Sequence, residues 1–339
     1  MRILAALFVA VMLMPTTSAL AADRPPSWVN GTPQFYPNEL YIVGVGSGDE
    51  RQEAETRARA AVSAVFSVRV AQKTSISASQ AEVVEDGKTK FSSTHAVIQD
   101  ATAVTSRVLE GVAIAESWED PTTHRLYALA VLNRKKAALV MRDKLRDVET
   151  ASKPHIARLT AETDPMRRAG AGFRVQSLAT SRSALIDDLR VIQPGAEVDS
   201  EVDWDAARRL ADSSVRALQV SLRVEGSENA SAIQTSTIKA LSALGIRIAE
   251  SSTRPDIAIR VSLELAMSGP TDGWFYARLT ATAAATDVKA GTQMTQFDAS
   301  IRQAASDPRE ASRRSAEAVA KKIAEGLQPA LRAFFEGDR

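Results

Sequence analysis

The chain has no cysteine. Disulfides are therefore excluded, and stability has to come from burial in ordinary hydrophobic cores. A thiol nucleophile and cysteine metal ligands are excluded for the same reason. No cysteine follows the N-terminal apolar run to carry a lipid, so we predict a chain that is not lipidated.

Histidine is also scarce, with three residues in 339. None of them has a second ligand at metal-site spacing, and neither H-E-x-x-H nor a G-x-S-x-G serine motif occurs. Two adjacent carboxylate pairs could serve acid–base chemistry, but a turn and an exposed helix surface explain them better. We therefore predict no enzyme activity, no catalytic residue, no metal and no cofactor. The candidates considered are His95, His124, His155, Glu119, Asp120, Asp187 and Asp188.

Excess charge of either sign is lacking. Arg2 is the one charged residue among residues 1–21, so the remainder carries 41 basic and 41 acidic side chains. This balance argues against a nucleic-acid partner, which would need a basic face. In the C-terminal helix, basic residues alternate with acidic ones, which indicates a solvated helix surface; these are Arg313, Arg314, Lys321, Lys322, Glu310, Glu317 and Glu325.

Long apolar runs are absent after the N-terminus. Residues 3–14 are apolar and uncharged, Pro15 follows, and small residues at Ala19 and Ala21 suit a cleavage site. A membrane span needs roughly 20 apolar residues. The sequence therefore predicts a cleaved signal peptide at 1–21, a periplasmic mature chain and no transmembrane segment in it.

The sharpest local pattern lies at residues 40–66. It predicts a strand at 40–46, a turn containing Gly44, Gly46 and Gly48, and a helix that begins near Asp49. A phosphate-binding loop would occupy this position. However, the pattern is not G-x-G-x-x-G, no Gly-Lys-Ser/Thr follows, and Asp49, Glu50 and Glu53 place negative charge where a phosphate would bind. We favour a structural role, in which glycine permits a tight turn and a close helix–strand approach.

The rest of this first domain combines anchors, a helix and strands. Trp28 and Tyr36 are predicted to pin the proline-rich lead-in at 22–39 to the domain. A helix face of Ala54, Ala58, Ala61 and Val65 follows the glycines. Alternation then predicts a long strand from Phe66, marked by Val68, Val70, Ile76 and Ala78. Residues 89–105 have no clear pattern, and 107–118 with 125–132 predict a hairpin whose second strand is central.

Helical periodicity begins at residue 133. Ala138, Met141, Leu145, Val148, Ser152, His155 and Leu159 recur three and four apart, with Pro154 predicted to kink or interrupt the helix. Asp164 and Pro165 predict a new helix, which ends before Pro194. Residues 195–213 are predicted to be a linker with a short helical piece.

The last domain predicts the order β-α-β, three alternating strands and a final helix. Its first strand spans 215–224, its helix 228–244 and its second strand 246–249. The final helix opens at Asp307 and Pro308, with an apolar face of Val319, Ile323, Leu327, Leu331 and Phe334. The predicted fold class is α+β, with two small domains of mostly antiparallel sheet joined by an antiparallel helical hairpin. The predicted boundaries are 1–21, 22–39, 40–133, 134–194, 195–213 and 214–339.

Four stretches of the first domain carry a family resemblance: PPSWV, YIVGVGSG, EAETRARAAVSAVFSVRV, and LEGVAIAESWED followed by LYALAVLNRKKA. Together they resemble the LPP-twenty lipoprotein family, and the domain is also similar to the N-terminal domain of the flagellar ring protein FlgT. The resemblance covers about residues 27–138. It implies an α+β fold and docking onto an assembly, and it brings no catalytic residues. Members typically carry a lipid on an N-terminal cysteine, which this chain lacks.

We therefore expect a non-enzymatic exported cell-envelope protein that acts in protein–protein assembly, as an outer-membrane or flagellar-ring-type accessory. Its partners would be envelope proteins or a larger assembly, bound through exposed sheet faces and the helical hairpin. The alternative is a periplasmic ligand-binding module for peptidoglycan or a small envelope molecule, with a cleft between the α+β domains as its site. A hydrolase is the third interpretation.

Overall fold

The computed structural model describes residues 24–81, 111–226, 229–249 and 254–337. The predicted signal peptide, the unassigned stretch 89–105 and His95 lie outside these residues. The helices described are α1 (Ser27–Asn30), α2 (Arg51–Ala81), α3 (Arg134–Ala161), α4 (Pro165–Ile192), α5 (Trp204–Arg216), α6 (Ala230–Ala243) and α7 (Pro308–Glu336). The strands described are β1 (Tyr41–Gly48), β2 (Ala113–Glu119), β3 (Leu126–Asn133), β4 (Val220–Glu225), β5 (Ile257–Thr271), β6 (Trp274–Asp287) and β7 (Thr292–Ala305).

These elements form two compact units. The first contains residues 24–64 and Val112–Asn133, and the second includes the described residues from Arg134 onward. The fold is mixed α+β, as predicted. In the first unit the strand order is β1-β3-β2, and both pairings are antiparallel. The prediction that the apolar strand β3 is central is therefore confirmed.

The three glycines at the start of this unit lie inside strand β1, so the predicted glycine turn is wrong. Gly44, Gly46 and Gly48 occupy alternate, buried positions of the strand, and none of them has a positive φ. Glycine is needed here because helix α2 lies very close. A Cβ at Gly44 would lie 2.6 Å from the carbonyl oxygen of Ala58, and one at Gly46 would overlap the backbone nitrogen of Ala58. The predicted close helix–strand approach is confirmed.

The face of α2 that meets these glycines is made of small side chains. Ala54, Ala58 and Val62 are buried, at intervals of one helical turn. The sequence pattern predicts that Ala61 and Val65 continue this face, and this part of the prediction is wrong. Ala61 is only half-buried and Val65 is exposed, because a four-residue step from Ala58 leads to Val62 instead.

The long strand predicted from Phe66 is wrong, because α2 continues without a break to Ala81. No glycine or proline occurs between Asp49 and Ala81 to end the helix. Once a helix has formed, each added residue gains one backbone hydrogen bond without a new nucleation cost. The alternation between residues 66 and 78 is also interrupted by polar residues 72–75, so it did not outweigh helix propagation.

The lead-in, residues 24–39, packs on the face of the three-stranded sheet that is opposite α2. Trp28 is buried against Leu129 and Val131, and Tyr36 packs edge-on against Tyr41 with ring centroids 5.2 Å apart. Both predicted anchors are confirmed. The lead-in also forms the short helix α1, which the sequence analysis did not predict.

Helices α3 and α4 form the predicted antiparallel hairpin. The Asp164 carboxylate accepts hydrogen bonds from the backbone N–H groups of Met166 and Arg167, both at 3.1 Å, and Pro165 is the first residue of α4. Helix α3 runs through Pro154, so of the predicted kink or interruption the interruption does not occur. Pro154 is exposed, while Met141, Leu145 and Leu159 are buried along the hairpin, and this packing holds the helix on both sides of the proline.

The second unit also contains a four-stranded sheet in the order β4-β5-β6-β7. Strand β4 pairs with β5 in parallel, and the other pairs are antiparallel. Helices α6 and α7 pack on one face, where the hydrophobic core lies. The strand predicted at 215–224 starts only at Val220, because α5 extends through the buried Val215 to Arg216. The strand predicted at 246–249 is reduced to a single bridge between Ile248 and Val220.

Helix α7 begins at Pro308 with Asp307 as its N-cap, as predicted. Val319, Ile323, Leu327 and Leu331 are buried along it, which confirms the predicted apolar face. At its end Phe335 rather than Phe334 is the buried ring, and it stacks on Phe173 of α4 with centroids 4.9 Å apart. This contact ties the helical hairpin to the core of the second unit.

Candidate interaction surface

The face of the four-stranded sheet opposite α6 and α7 is exposed and polar. Side chains on this outer face alternate with the buried core residues along β5, β6 and β7. The register places them in rows across the strands. Successive rows contain Arg223 and Arg260; Glu225, Ser262, Thr282 and Asp298; Glu264, Thr280 and Ser300; Ala266, Arg278 and Arg302; and Ser268, Tyr276 and Ala304.

The central rows are ordered by hydrogen bonds between side chains. The hydroxyls of Thr280 and Ser300 lie 3.0 Å apart. The Gln296 amide donates to the Asp298 carboxylate at 3.0 Å. Hydrogen bonds from Thr282 and Gln296 lower the pKa of Asp298 below its ordinary value. This part of the outer face is therefore anionic at neutral pH.

Two arginines face each other at the next row. Arg278 of β6 and Arg302 of β7 are direct register partners, and both are exposed. The Arg302 guanidinium lies over the Tyr276 ring, 4.2 Å from its centroid. In the described part of the chain no carboxylate oxygen lies within 4.0 Å of either guanidinium. Trp274, the first residue of β6, is 48% exposed.

At this end of the sheet, strands β5 and β6 extend beyond the end of β4. Strand β4 pairs with β5 only as far as Ser262, whereas β5 and β6 continue to a two-residue turn at Asp272 and Gly273. Both turn residues have positive φ, which suits an Asp-Gly hairpin turn. Leu265 and Met267 lie on the extension and are 38% and 44% exposed. By the strand register, Leu265 and Met267 lie on the core-side face of the hairpin, and the aromatic and cationic side chains of Tyr276 and Arg278 lie on the outer face.

The predicted alternative of a phosphate-binding loop is not supported by the geometry of the first unit. Gly44 and Gly46 are buried against the backbone of α2. The Glu53 carboxylate accepts a hydrogen bond from the Asp49 backbone N–H at 3.0 Å and pairs with Arg57 at 2.6 Å. The start of α2 is therefore occupied by the chain's own carboxylate. The helix begins at Arg51, two residues after Asp49, which had been expected near its start.

The first carboxylate pair shapes a turn, as predicted. The Asp120 carboxylate accepts hydrogen bonds from the Thr122 backbone and the Thr123 hydroxyl, both at 2.8 Å, and these bonds lower its pKa. Glu119 lies 3.0 Å from the ring of the exposed His124, which has a positive φ. These three residues stabilise the β2–β3 connection.

The remaining candidates lie on helices. His155 is half-buried on α3. Asp187 pairs loosely with Arg190 at 3.9 Å, but Asp188 is buried, so the prediction of an exposed helix surface is wrong for Asp188. Among the described residues no group of three or more histidines and carboxylates is placed to hold a metal. The structure does not bring these candidates together into one site.

The charged residues at the start of α7 pair with one another, as expected for a solvated surface. The Glu310 carboxylate accepts hydrogen bonds from Arg313 and Arg314, both at 2.8 Å. These bonds lower the pKa of Glu310 to about 2. Glu317 pairs with Arg313 one turn further along.

A cavity of about 410 Å³, lined by both polar and apolar residues, lies within the second unit. Its walls come from α4, α5, α7 and the end of α6, and Arg216 and Arg332 are among its lining residues. The Gln176 amide donates to Asp212 at 2.8 Å, and the Gln328 amide donates to the Ala240 carbonyl at 2.9 Å. Arg332 pairs with Glu336 at 3.0 Å. The cavity could admit a small polar molecule.

Comparison with known proteins identifies the first unit. Residues 26–133 match the LPP20 lipoprotein family. The resemblance inferred from PPSWV, YIVGVGSG and the β2–β3 hairpin is thereby confirmed. No curated protein matches the chain in sequence. Within the described residues, no helix is long and apolar enough to cross a membrane.

The solved structures that match share little sequence with this chain. The secreted protein HP1454 from Helicobacter pylori is 12% identical, with a TM-score of 0.42 over 85% of this chain and 98% of that one. A minor lipoprotein from Acinetobacter baumannii is 13% identical, with a TM-score of 0.27 over 33% of this chain and 90% of that one.

The sequence predicted exposed sheet faces as binding surfaces, but it did not predict which residues the outer face of the four-stranded sheet brings together. The alternation of Trp274, Tyr276 and Arg278 with apolar residues is visible in the sequence. What could not be read is the register that places Arg302 opposite Arg278, since pairing between strands depends on the length and geometry of their turns.

Proposed function

We propose that the chain is a non-enzymatic, exported envelope protein that acts in protein–protein assembly. The match of residues 26–133 to a lipoprotein family supports an envelope role. The observation that carries the assembly role is the exposed outer face of the second sheet, which combines two cross-strand arginine pairs with Trp274 and Tyr276. Arginine, tyrosine and tryptophan are the residue types that dominate binding energy at protein interfaces.

The proposal includes a mature periplasmic chain without a lipid, since no cysteine is present to carry one. It also includes the absence of catalysis. Two of the carboxylates considered as catalysts have structural roles in the described part: Asp120 holds a turn, and Glu119 lies beside His124 in the same connection. Metabolic labelling with an alkynyl fatty acid checks the first point, because an unlipidated chain incorporates none of the label.

Envelope fractionation, followed by chemical crosslinking and mass spectrometry, tests the assembly role. We expect the chain in the periplasmic or outer-membrane fraction, crosslinked to protein partners through residues of the second unit. Recovery of free monomer alone, with a small molecule copurifying, would contradict this proposal. A flagellar-ring-type role predicts flagellar components among the crosslinked partners.

The second candidate function is a periplasmic ligand-binding module for peptidoglycan fragments or a small envelope molecule. The cavity of about 410 Å³ favours it, because Arg216 and Arg332 could bind an anionic group there. Native mass spectrometry of the protein purified from its envelope fraction checks this candidate. A bound small molecule that is lost in the Arg216→Ala variant would support it.

A further inference from the structure

Direct cross-strand pairing of like charges is unfavourable, yet the outer face contains two such pairs. Arg278 lies opposite Arg302, and Arg223 lies opposite Arg260. Like charges directly opposite each other destabilise a sheet. For Arg223, Glu225 lies 3.9 Å away and offsets part of the repulsion. Arg278 and Arg302 have no described carboxylate within ion-pair distance, so they are the pair that an external anion would stabilise more.

Acidic residues next to these arginines restrict the kind of anion that fits. Glu264 lies one row away from Arg278, and Glu225 and Asp298 lie one row further. A long polyanion, such as nucleic acid or an anionic membrane surface, would place its charges against all three carboxylates. A protein segment with two neighbouring acidic side chains can reach the arginines and avoid them. The surface therefore favours a short acidic segment of a protein.

The chain contains such a segment between α4 and α5. Residues 197–203 read EVDSEVD, with a carboxylate at every second position. Glu201 is bound to Lys153 at 2.7 Å, and Asp203 caps α5 by accepting from the Ala206 N–H at 2.9 Å. Glu197 and Asp199 are exposed, and within the described residues no basic group lies at ion-pair distance from either carboxylate.

The spacing of Glu197 and Asp199 is compatible with that of Arg278 and Arg302. The Cα atoms of residues two apart in a chain lie at most about 7 Å from each other. Directly opposed residues of an antiparallel pair have Cα atoms about 4.5–5.5 Å apart. The long arginine side chains can take up this difference, and a guanidinium binds a carboxylate through two parallel hydrogen bonds.

We propose that Arg278 and Arg302 bind Glu197 and Asp199 of a second copy of this chain. Trp274 and Tyr276 lie beside the arginines and supply aromatic contact area. The contact joins two different segments of the chain, so it can occur reciprocally in a two-fold dimer or repeat head to tail in a ring or filament. This inference rests on the proposed assembly function and specifies one partner, another copy of the protein.

Sedimentation velocity of the full exported chain, at low and at high salt, tests the inference. We expect concentration-dependent self-association that weakens as salt rises, because exposed charges are screened over roughly 8 Å at physiological ionic strength. The double variant R278E/R302E should weaken self-association at least about tenfold. The matched control R223E/R260E reverses the other arginine pair on the same face and should leave self-association within about threefold of the wild type.

Mixing two variants distinguishes a specific contact from a general charge effect. R278E/R302E and E197R/D199R should each be monomeric alone. Together they should co-assemble in equal proportions, because each supplies the surface that the other has reversed and the two reversed surfaces are themselves opposite in charge. A wild-type chain that stays monomeric at every salt concentration, or equal effects of the two arginine double variants, would overturn the inference. Crosslinks from a monomeric chain to other envelope proteins would overturn it and leave the proposed function intact.

Discussion

The indole Nε1 of Trp28 donates a hydrogen bond to the Glu116 carboxylate at 2.6 Å. The two residues are 88 positions apart in the chain, so this bond fixes the lead-in to strand β2. Trp28 is also buried against Leu129 and Val131 of the central strand. One side chain thus closes the second face of the LPP20 domain sheet through both packing and a polar contact.

We predict that Trp28→Ala destabilises this domain by about 3–5 kcal/mol, the usual cost of removing a buried tryptophan. Trp28→Phe keeps most of the packing, loses the bond to Glu116, and should cost less. Hydrogen exchange of the β3 amides in the full chain measures the change locally. The control is Trp274→Ala, which removes an exposed tryptophan from the other unit. Equal β3 protection in Trp28→Ala and wild type would refute the anchoring role.

The contact between β1 and α2 gives a second prediction. Gly46→Ala should destabilise the LPP20 domain by about 1–3 kcal/mol or more, because the new methyl group would overlap backbone atoms of α2 that cannot move independently. Val45→Ala in the same strand is the control, since Val45 is 37% exposed. Thermal unfolding followed by circular dichroism provides the measurement. A Gly46→Ala variant as stable as Val45→Ala would mean that close packing does not require glycine here.

The N-cap of α4 gives a pH prediction. The Lys289 ammonium lies 2.7 Å from Asp164, and its hydrogen bond is the largest of the effects that lower the Asp164 pKa. The folded-state pKa is below the unfolded one, so this stabilisation is complete above about pH 4 and is lost as pH falls through the folded pKa. The hydrogen bond to Asp164 raises the pKa of Lys289. The stabilisation is therefore lost at high pH only above the pH range in which lysine ordinarily loses its proton.

Two substitutions separate the charge of Asp164 from its capping role. Asp164→Asn can keep the cap and removes the charge, whereas Asp164→Ala removes both and should cost about 1 kcal/mol for the lost cap. Urea unfolding at pH 7 and at pH 2.5 should show a wild-type advantage over Asp164→Asn that shrinks at the lower pH. An advantage that is independent of pH would contradict the ion-pair contribution.

Predictions from the sequence were most accurate where a local pattern favoured one structure alone. Asp164 followed by Pro165, and Asp307 followed by Pro308, mark helix starts that the structure contains, because a capping side chain and a fixed proline φ act within one turn. The alternating strands of the second sheet were likewise predicted from their period of two. The family resemblance was visible because its motif spans a strand, a helix and a hairpin.

The errors have a common physical origin in contacts that are distant in sequence. The glycines of β1 were assigned to a turn because a sequence shows glycine but not the helix that lies against it. Residues 66–78 were assigned to a strand because local alternation was given more weight than an uninterrupted helix. Exposed sheet faces were predicted as binding surfaces, but the arginine pair was not, because only the strand register brings Arg278 and Arg302 together.

Site-specific photo-crosslinking in living cells tests the central claim, that the chain assembles with proteins through the outer face of its second sheet. A photoreactive amino acid replaces Ser300, which is exposed on that face, and in a separate control Gln234, which is exposed on α6. The account predicts protein adducts from position 300 and far fewer from position 234. Equal yields at both positions, or no protein adduct from position 300, would contradict it.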